Sequence, residues 1–490
     1  MRVRLIPSSS SFFFSQIIIQ RRHVFNMTLR VSSRTNPNPS TVREPHLEAA
    51  PISTPIDLFK GWPNPSLLPP RQLDEASAQI LSNPSNSDVL FYGPDEGYQP
   101  LREEIAKWLD AFYRPSKPIS SERICISGGA SQNLACILQT FTDPVYTRNV
   151  WMVAPTYYLA CRIFTDSGFD DRLKAVPEDD EGIDLDYLER GLRESEKRAL
   201  AENNTAPRVK TPKPWRKIYK HIIYAVPTFA NPSGRIMSLN HRQRLVRLAR
   251  KYDALVVTDD VYDMLQWPSD PQAGRRTMDR ATMPRIVDVD RELDGGPVDA
   301  FGNAVSNGSF SKIVAPGCRT GWAEGTEAMA YGISQTGSSR SGGAPSHLVA
   351  SFIYEMLAAG ILQKHIWEEL QPAYAKRYHL MTQAIQQHLL PLGLTMPQAD
   401  KEVAGGYFIW LTLPGSLNAT HIFKRALAEE NLTIISGPKF KVDGDEENDA
   451  TKFERDLRLC FAWEDVNLLE EGVVRLARVI QREMTKSDAR

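Results

Sequence analysis

Short apolar runs with no polar alternation constrain this chain more than any other feature. They cover residues 124–126, 150–154, 222–226 and 254–258, and each ends in a cluster of Gly, Pro, Asp or Ser. A strand without a polar face must be covered on both sides, as in a mainly parallel sheet between layers of helix. Helical spacing occurs between the runs: Leu101, Ile105 and Trp108 follow one another at four and three residues. The expected architecture is α/β. Fifteen of the 34 prolines precede residue 120, so residues 44–100 are expected as extended turns and short helices. Two charge-rich stretches, residues 189–220 and 442–452, read as solvated surface insertions without an assigned function.

Composition narrows the function classes. The 490 residues suffice for two or three domains and a large core. Basic and acidic residues balance, 58 against 59, so no global charge draws the chain to nucleic acid or an anionic membrane. No run approaches the ~20 apolar residues of a membrane-spanning helix. Five widely spaced cysteines without a Cys-x-x-Cys pair argue against a disulfide framework and against structural zinc. The histidines show no metal-ligand spacing either. Residues 1–43 differ from the rest, with seven arginines, many serines and no acid before Glu44. That composition suits an organellar presequence; the alternatives are a disordered tail or an extension upstream of Met27. The expected location is mitochondrial or cytoplasmic.

Ligands of open parallel sheets bind at the carboxyl ends of the strands, and four such ends carry unusual polar residues. In Ser309-Phe-Ser311-Lys312, with Arg319 seven residues on, hydroxyls and a guanidinium suit a phosphate, and the amine suits an aldehyde cofactor. At Gly128-Gly129-Ala130-Ser131 a strand turns into a helix whose free amides would hold a phosphate. In Asp259-Asp260-Val-Tyr262 a carboxylate ends a buried strand, which is costly without a cation; the bland reading is a helix-capping Asp pair. Asn231-Pro-Ser-Gly234 alone is turn chemistry.

Together, in this chain order, the four resemble the pyridoxal-phosphate-dependent aminotransferases of fold type I, class I/II. The likeness runs from about residue 56 to residue 480, and segments 56–65 and 90–102 look most like the 2-aminoadipate/kynurenine branch. The resemblance implies a large domain with a mainly parallel central sheet, over residues 91–345. A smaller α+β domain would take residues 346–490 together with part of the arm at residues 44–90. It also implies pyridoxal 5'-phosphate as cofactor, and amino acid and 2-oxo acid substrates. Lys312 matches the Schiff-base lysine and Asp259 the partner of the pyridinium nitrogen. Tyr262 and Asn231 match the ligands of the cofactor's phenolic oxygen. Ser309, Ser311 and Arg319 match the phosphate cup, with Ala130 and Ser131 at its helix end. Tyr157 matches the aromatic stacked on the ring, and Arg458 the clamp on the substrate α-carboxylate. Tyr92 matches the tyrosine that reaches the neighbouring subunit's phosphate, which implies a homodimer with shared sites.

Three departures stand out. About 53 residues separate Asp259 from Lys312, so an extra loop is expected within residues 267–300. Asp260 adjoins Asp259, and the Asp-x-x-Tyr spacing favours Asp259. Ala130 offers only its amide. Two other functions share these residues: a lyase of the same fold, and a cofactor-binding regulator. The regulator would carry an N-terminal helix-turn-helix, and residues 1–55 show no such pattern.

Overall fold

A computed structural model describes residues 54–273, 278–397, 402–445 and 449–488. The leader expected at residues 1–43 lies outside the described residues. The central sheet has eight strands: β1 (Ile124–Ser127), β2 (Asn149–Ala154), β3 (Leu173–Asp179), β4 (Gly182–Ile183), β5 (His221–Ala225), β6 (Ala254–Asp259), β7 (Ala304–Ser309) and β8 (Gly321–Glu324). Their order is β1-β8-β7-β6-β5-β2-β3-β4. Neighbours from β7 through β3 pair in parallel, β8 runs antiparallel to β1 and β7, and β4 folds back on β3.

The absence of alternation has a direct cause. Every residue of β1, β2, β5, β7 and β8 is buried. On β2, Val150 and Met152 face an apolar cluster with Leu134, Ile137 and Phe141 of helix Ala130–Phe141. Trp151 and Val153 face the opposite cluster, with Leu188, Leu192 and Leu245. Successive side chains thus point into two separate apolar layers.

Register gathers the polar strand ends. Asp259, the last residue of β6, lies opposite Asn307 of β7, and Gly321 of β8 lies opposite both Ser309 and Ser127. A three-stranded sheet of Phe408–Thr412, Asp456–Cys460 and Ile435–Ser436 carries Arg458 on its middle strand. Near the start of the described chain, Ile56–Asp57 pairs in parallel with Leu432–Thr433.

Several segments differ from expectation. Residues 189–220 are not wholly an insertion: Leu185–Ala201 is a helix, capped by Asp184, that buries Leu188, Leu192 and Ala199. Most of its charges lie on the outer face, while Glu196 pairs inward with the buried His221 and Arg148. In the proline-rich stretch, Pro70–Leu81 forms a twelve-residue helix with proline in its first turn, where the missing N–H costs nothing. The stretch 267–300 keeps to its expectation in part: described residues 278–285 form neither helix nor strand, and the short helix Ile286–Glu292 that follows puts Ile286, Val287 and Val289 in the core. In the acidic stretch 442–452, Asp445 is not simply solvated. The Asp445 carboxylate accepts the Ala175 amide at 2.7 Å on the outer edge of β3 and pairs with Lys174 at 3.4 Å. Among the described residues, no helix is long and apolar enough to cross a membrane.

Candidate active site

The end of β1 leads into an uncapped helix end beside Arg319. Gly128 and Gly129 turn the chain into helix Ala130–Phe141, which has no side-chain cap at its N-terminus. The amides of Ala130 and Ser131 belong to that uncapped first turn, where a helix favours negative charge. Gly129 has φ +97°, and a Cβ there would lie 2.7 Å from Arg319 Nη2, so only glycine fits. Arg319 donates to the Gly128 and Pro316 carbonyls, at 2.9 Å each. The Ser309 hydroxyl donates to Ser311 Oγ at 2.9 Å. Asn307, which sequence reasoning missed, ties the helix to β7: it accepts from Asn133 Nδ2 at 2.9 Å and donates to the Ala130 carbonyl at 3.0 Å.

The end of β6 presents two carboxylates with different surroundings. Asp259 accepts the Tyr224 hydroxyl at 3.1 Å through Oδ2, and its buried Oδ1 has no partner. Burial pushes its carboxyl up to about 7, against the Tyr224 bond and the Lys312 charge. Asp260 instead accepts the Thr258 and Ser306 hydroxyls through one oxygen and feels the Arg285 and Arg242 charges. Tyr224 reads in sequence as plain core, and only its hydroxyl gives it this second role.

Lys312 follows β7 and donates to the Gly61 carbonyl at 2.7 Å. Its Nζ lies 5.8 Å from the Tyr262 ring centroid and 5.3 Å from that of Tyr407. Burial pulls its amine down to about 8, although Cys460 and Asp259 pull the other way. Arg458 donates to Asn231 Oδ1 at 2.9 Å and to the Phe59 carbonyl at 2.6 Å. The Phe408 ring lies 4.0 Å from its guanidinium carbon, and its buried Nε has no partner. Tyr157 precedes helix Tyr158–Phe164; burial first, then Asp259, pushes its phenol up to about 12.

Lys312, Asp259, Tyr262, Tyr157 and Arg458 are buried within electrostatic reach of one another, and Asn231 is bonded to Arg458. Ser309 and Ser311 bond one another after β7, and Arg319 bonds the turn that leads into Ala130 and Ser131. Tyr92 stands apart, 87% exposed, with its ring against Gly342.

The family described as aminotransferase class I and II matches residues 64–476. An uncharacterized protein of Saccharomyces cerevisiae is 36% identical over 438 residues, spanning 85% of this chain and 95% of its own. The 2-aminoadipate transaminase of Thermus thermophilus is 29% identical over 86% of this chain and 89% of its own. The crystal structure of Pyrococcus horikoshii kynurenine aminotransferase in complex with PMP superposes with a TM-score of 0.69. That match is 28% identical and covers 88% of this chain and 92% of the other. This chain is a member of the class I and II aminotransferase family, with the fold type I architecture.

Proposed function

We propose that this protein is a pyridoxal-phosphate-dependent transaminase moving an amino group between an L-amino acid and a 2-oxo acid. The observation that carries the reading is a depressed lysine amine, Lys312, enclosed with the unpartnered buried Oδ1 of Asp259. A buried carboxylate oxygen without a partner is costly, and the protonated nitrogen of a pyridine ring is a partner that fits it. The uncapped helix end, the hydroxyls of Ser309 and Ser311 and the Arg319 fork fit a phosphate. Tyr157 would stack on the ring, and Asn231 and Tyr262 would hold its phenolic oxygen. When bound, the cofactor supplies an aldehyde carbon for the amino group and a ring that withdraws electrons.

The protein's own groups do the rest. Arg458 clamps the substrate α-carboxylate, its guanidinium already oriented by Asn231 and backed by Phe408. Lys312 Nζ, with its amine near 8, is a base able to take the proton from the substrate Cα, and it would pass it on to the aldehyde-derived carbon of the bound cofactor. Asp259 would hold the proton of a bound pyridine nitrogen. The same reading divides the chain into an arm at 44–90, a large domain at 91–345 and a small domain at 346–490. It takes residues 1–43 as a disordered leader or a presequence, with a mitochondrial or cytoplasmic location.

The assembly proposed is a homodimer with shared sites, because Tyr92 and the neighbouring Leu90 and Phe91 are exposed apolar residues on one short stretch. Sedimentation should show a dimer; a monomer that turns over at full rate would refute it.

The donors proposed are 2-aminoadipate and aromatic amino acids, with 2-oxoglutarate as acceptor. Both relatives of known activity above are named for such substrates. Selectivity is assigned to residues 60–68. Lys60 pairs with Asp57 at 3.3 Å, lies over the Trp463 ring at 4.6 Å, and is exposed enough to swing toward an acidic side chain. Trp62, 58% exposed, packs edge-on against Trp463 and offers an aromatic face. A donor and acceptor screen tests the reaction: a new amino acid plus a 2-oxo acid supports transfer, whereas ammonia plus pyruvate indicates a lyase. A spectral change without turnover indicates a regulator. Lys60→Ala should lower kcat/KM for acidic donors by about tenfold relative to aromatic ones; an equal loss would remove this segment from specificity.

A further inference from the structure

Lys312 is held at both ends by groups tied to the segment that crosses the site. Its amine donates to the Gly61 carbonyl at 2.7 Å, and its own carbonyl accepts the Tyr407 hydroxyl at 3.3 Å. The Tyr407 and Tyr374 hydroxyls lie 3.1 Å apart, and the Asn64 backbone amide faces the Tyr374 hydroxyl. The Tyr407 hydroxyl donates to Tyr374 Oη and, at the longer distance, to the Lys312 carbonyl, so its one hydrogen is shared between the two acceptors. Both tyrosines are 0% exposed, so water offers neither hydroxyl an alternative. Breaking one link strands a buried polar group. The two rings come from unrelated places, helix Gln371–His388 and the turn before strand Phe408–Thr412, and meet only here. The segment itself is pinned by Asn64 Nδ2 on the Trp463 carbonyl at 2.6 Å and by Arg458 on the Phe59 carbonyl.

We propose that Tyr374 and Tyr407 are positioning residues that join residues 59–64 to Lys312, so that the seating of this segment and the placement of the reactive amine depend on each other. The inference rests on the reading of Lys312 as the reactive amine. A purely packing role is the competing account, since the rings lie 4.9 Å apart and Tyr407 also packs on Tyr262 at 5.3 Å. Replacement by phenylalanine separates the two, because it keeps the ring and removes the link.

Hydrogen exchange on the cofactor-free protein is the first measurement. In Tyr407→Phe and in Tyr374→Phe, exchange at residues 59–64 should rise about fivefold, the scale of one lost hydrogen bond. Exchange within helix Ala130–Phe141 should stay unchanged. With pyridoxal phosphate bound, kcat should fall about tenfold while KM moves less than about twofold, as expected of misplaced chemistry rather than lost binding. The double variant should be no worse than either single one, because both break the same chain. Unchanged exchange in both variants, or losses that simply add, would overturn the coupling. If one variant fails to fold, the other interrogates the same chain from its opposite end. A fully active Lys312→Ala protein would instead refute the parent reading, while the exchange data would still report on the link.

Discussion

Lys312→Ala is expected to lower turnover by about 10⁴-fold, the upper range for losing a positioned base, with further loss because the same amine is the proposed attachment point. The variant should still bind pyridoxal phosphate, since the Arg319 fork, the serine hydroxyls and the uncapped helix end are untouched. Steady-state rates, with the absorbance of the bound cofactor in both proteins, check the two halves separately. Turnover at the wild-type rate would take Lys312 out of the chemistry. Loss of cofactor binding together with turnover would mean that the fork, the hydroxyls and the helix end do not hold the phosphate by themselves.

The second large effect separates two adjacent acids. Asp259→Asn should cost about 10³-fold in kcat, the scale of removing a preorganised charge from the reacting group. Asp260→Asn should leave the rate of the folded enzyme within a few-fold, yet destabilise it by about 3 kcal/mol, because its carboxylate holds two hydroxyls and faces buried arginines. The opposite ranking of rates would exchange their roles. Asp259 also carries a pH signature. Its folded-state value, raised from 3.8 to about 7, means that the folded cofactor-free protein binds the proton more tightly than the unfolded chain. The resulting stabilisation is full below 3.8 and is lost as pH rises through 7. Denaturation midpoints of the cofactor-free protein should therefore fall across this window, and Asp259→Asn should flatten the fall. A slope that persists in the variant would assign it to another group.

The sequence is most legible where burial is simplest. Residues 124–126, 150–154, 222–226 and 254–258 advertise strands because both faces are covered by helices, and each lies within one residue of the observed strand at either end. β7 hides because its Ser306, Asn307 and Ser309 look like a loop. They are polar within a buried strand because they serve Asp260, helix Ala130–Phe141 and Ser311. β3 hides for the opposite reason: it lies near the sheet's open side, and Lys174, Pro177 and Glu178 break its apolar pattern. Helix Leu185–Ala201 is masked by its charges, although its leucines keep helical spacing. At the site, residues fixed by local spacing can be named in advance. Tyr224, Tyr374, Tyr407 and Asn307 cannot, because their meaning comes from partners at least 33 residues away in sequence.

The hydrogen bond from the Ala175 amide to Asp445 spans 270 residues. An outer strand edge is a template for pairing with any other extended chain, and a charged side chain laid on it closes the template. This guard is synthesised long after the strand it protects. At roughly 5–20 residues per second, the ribosome takes about 15 to 50 seconds to travel from one to the other. During that interval the nascent sheet presents an unguarded margin, and crowded, unfinished copies of this chain can join along it. The guard thus becomes available only once the last fifth of the chain has been made.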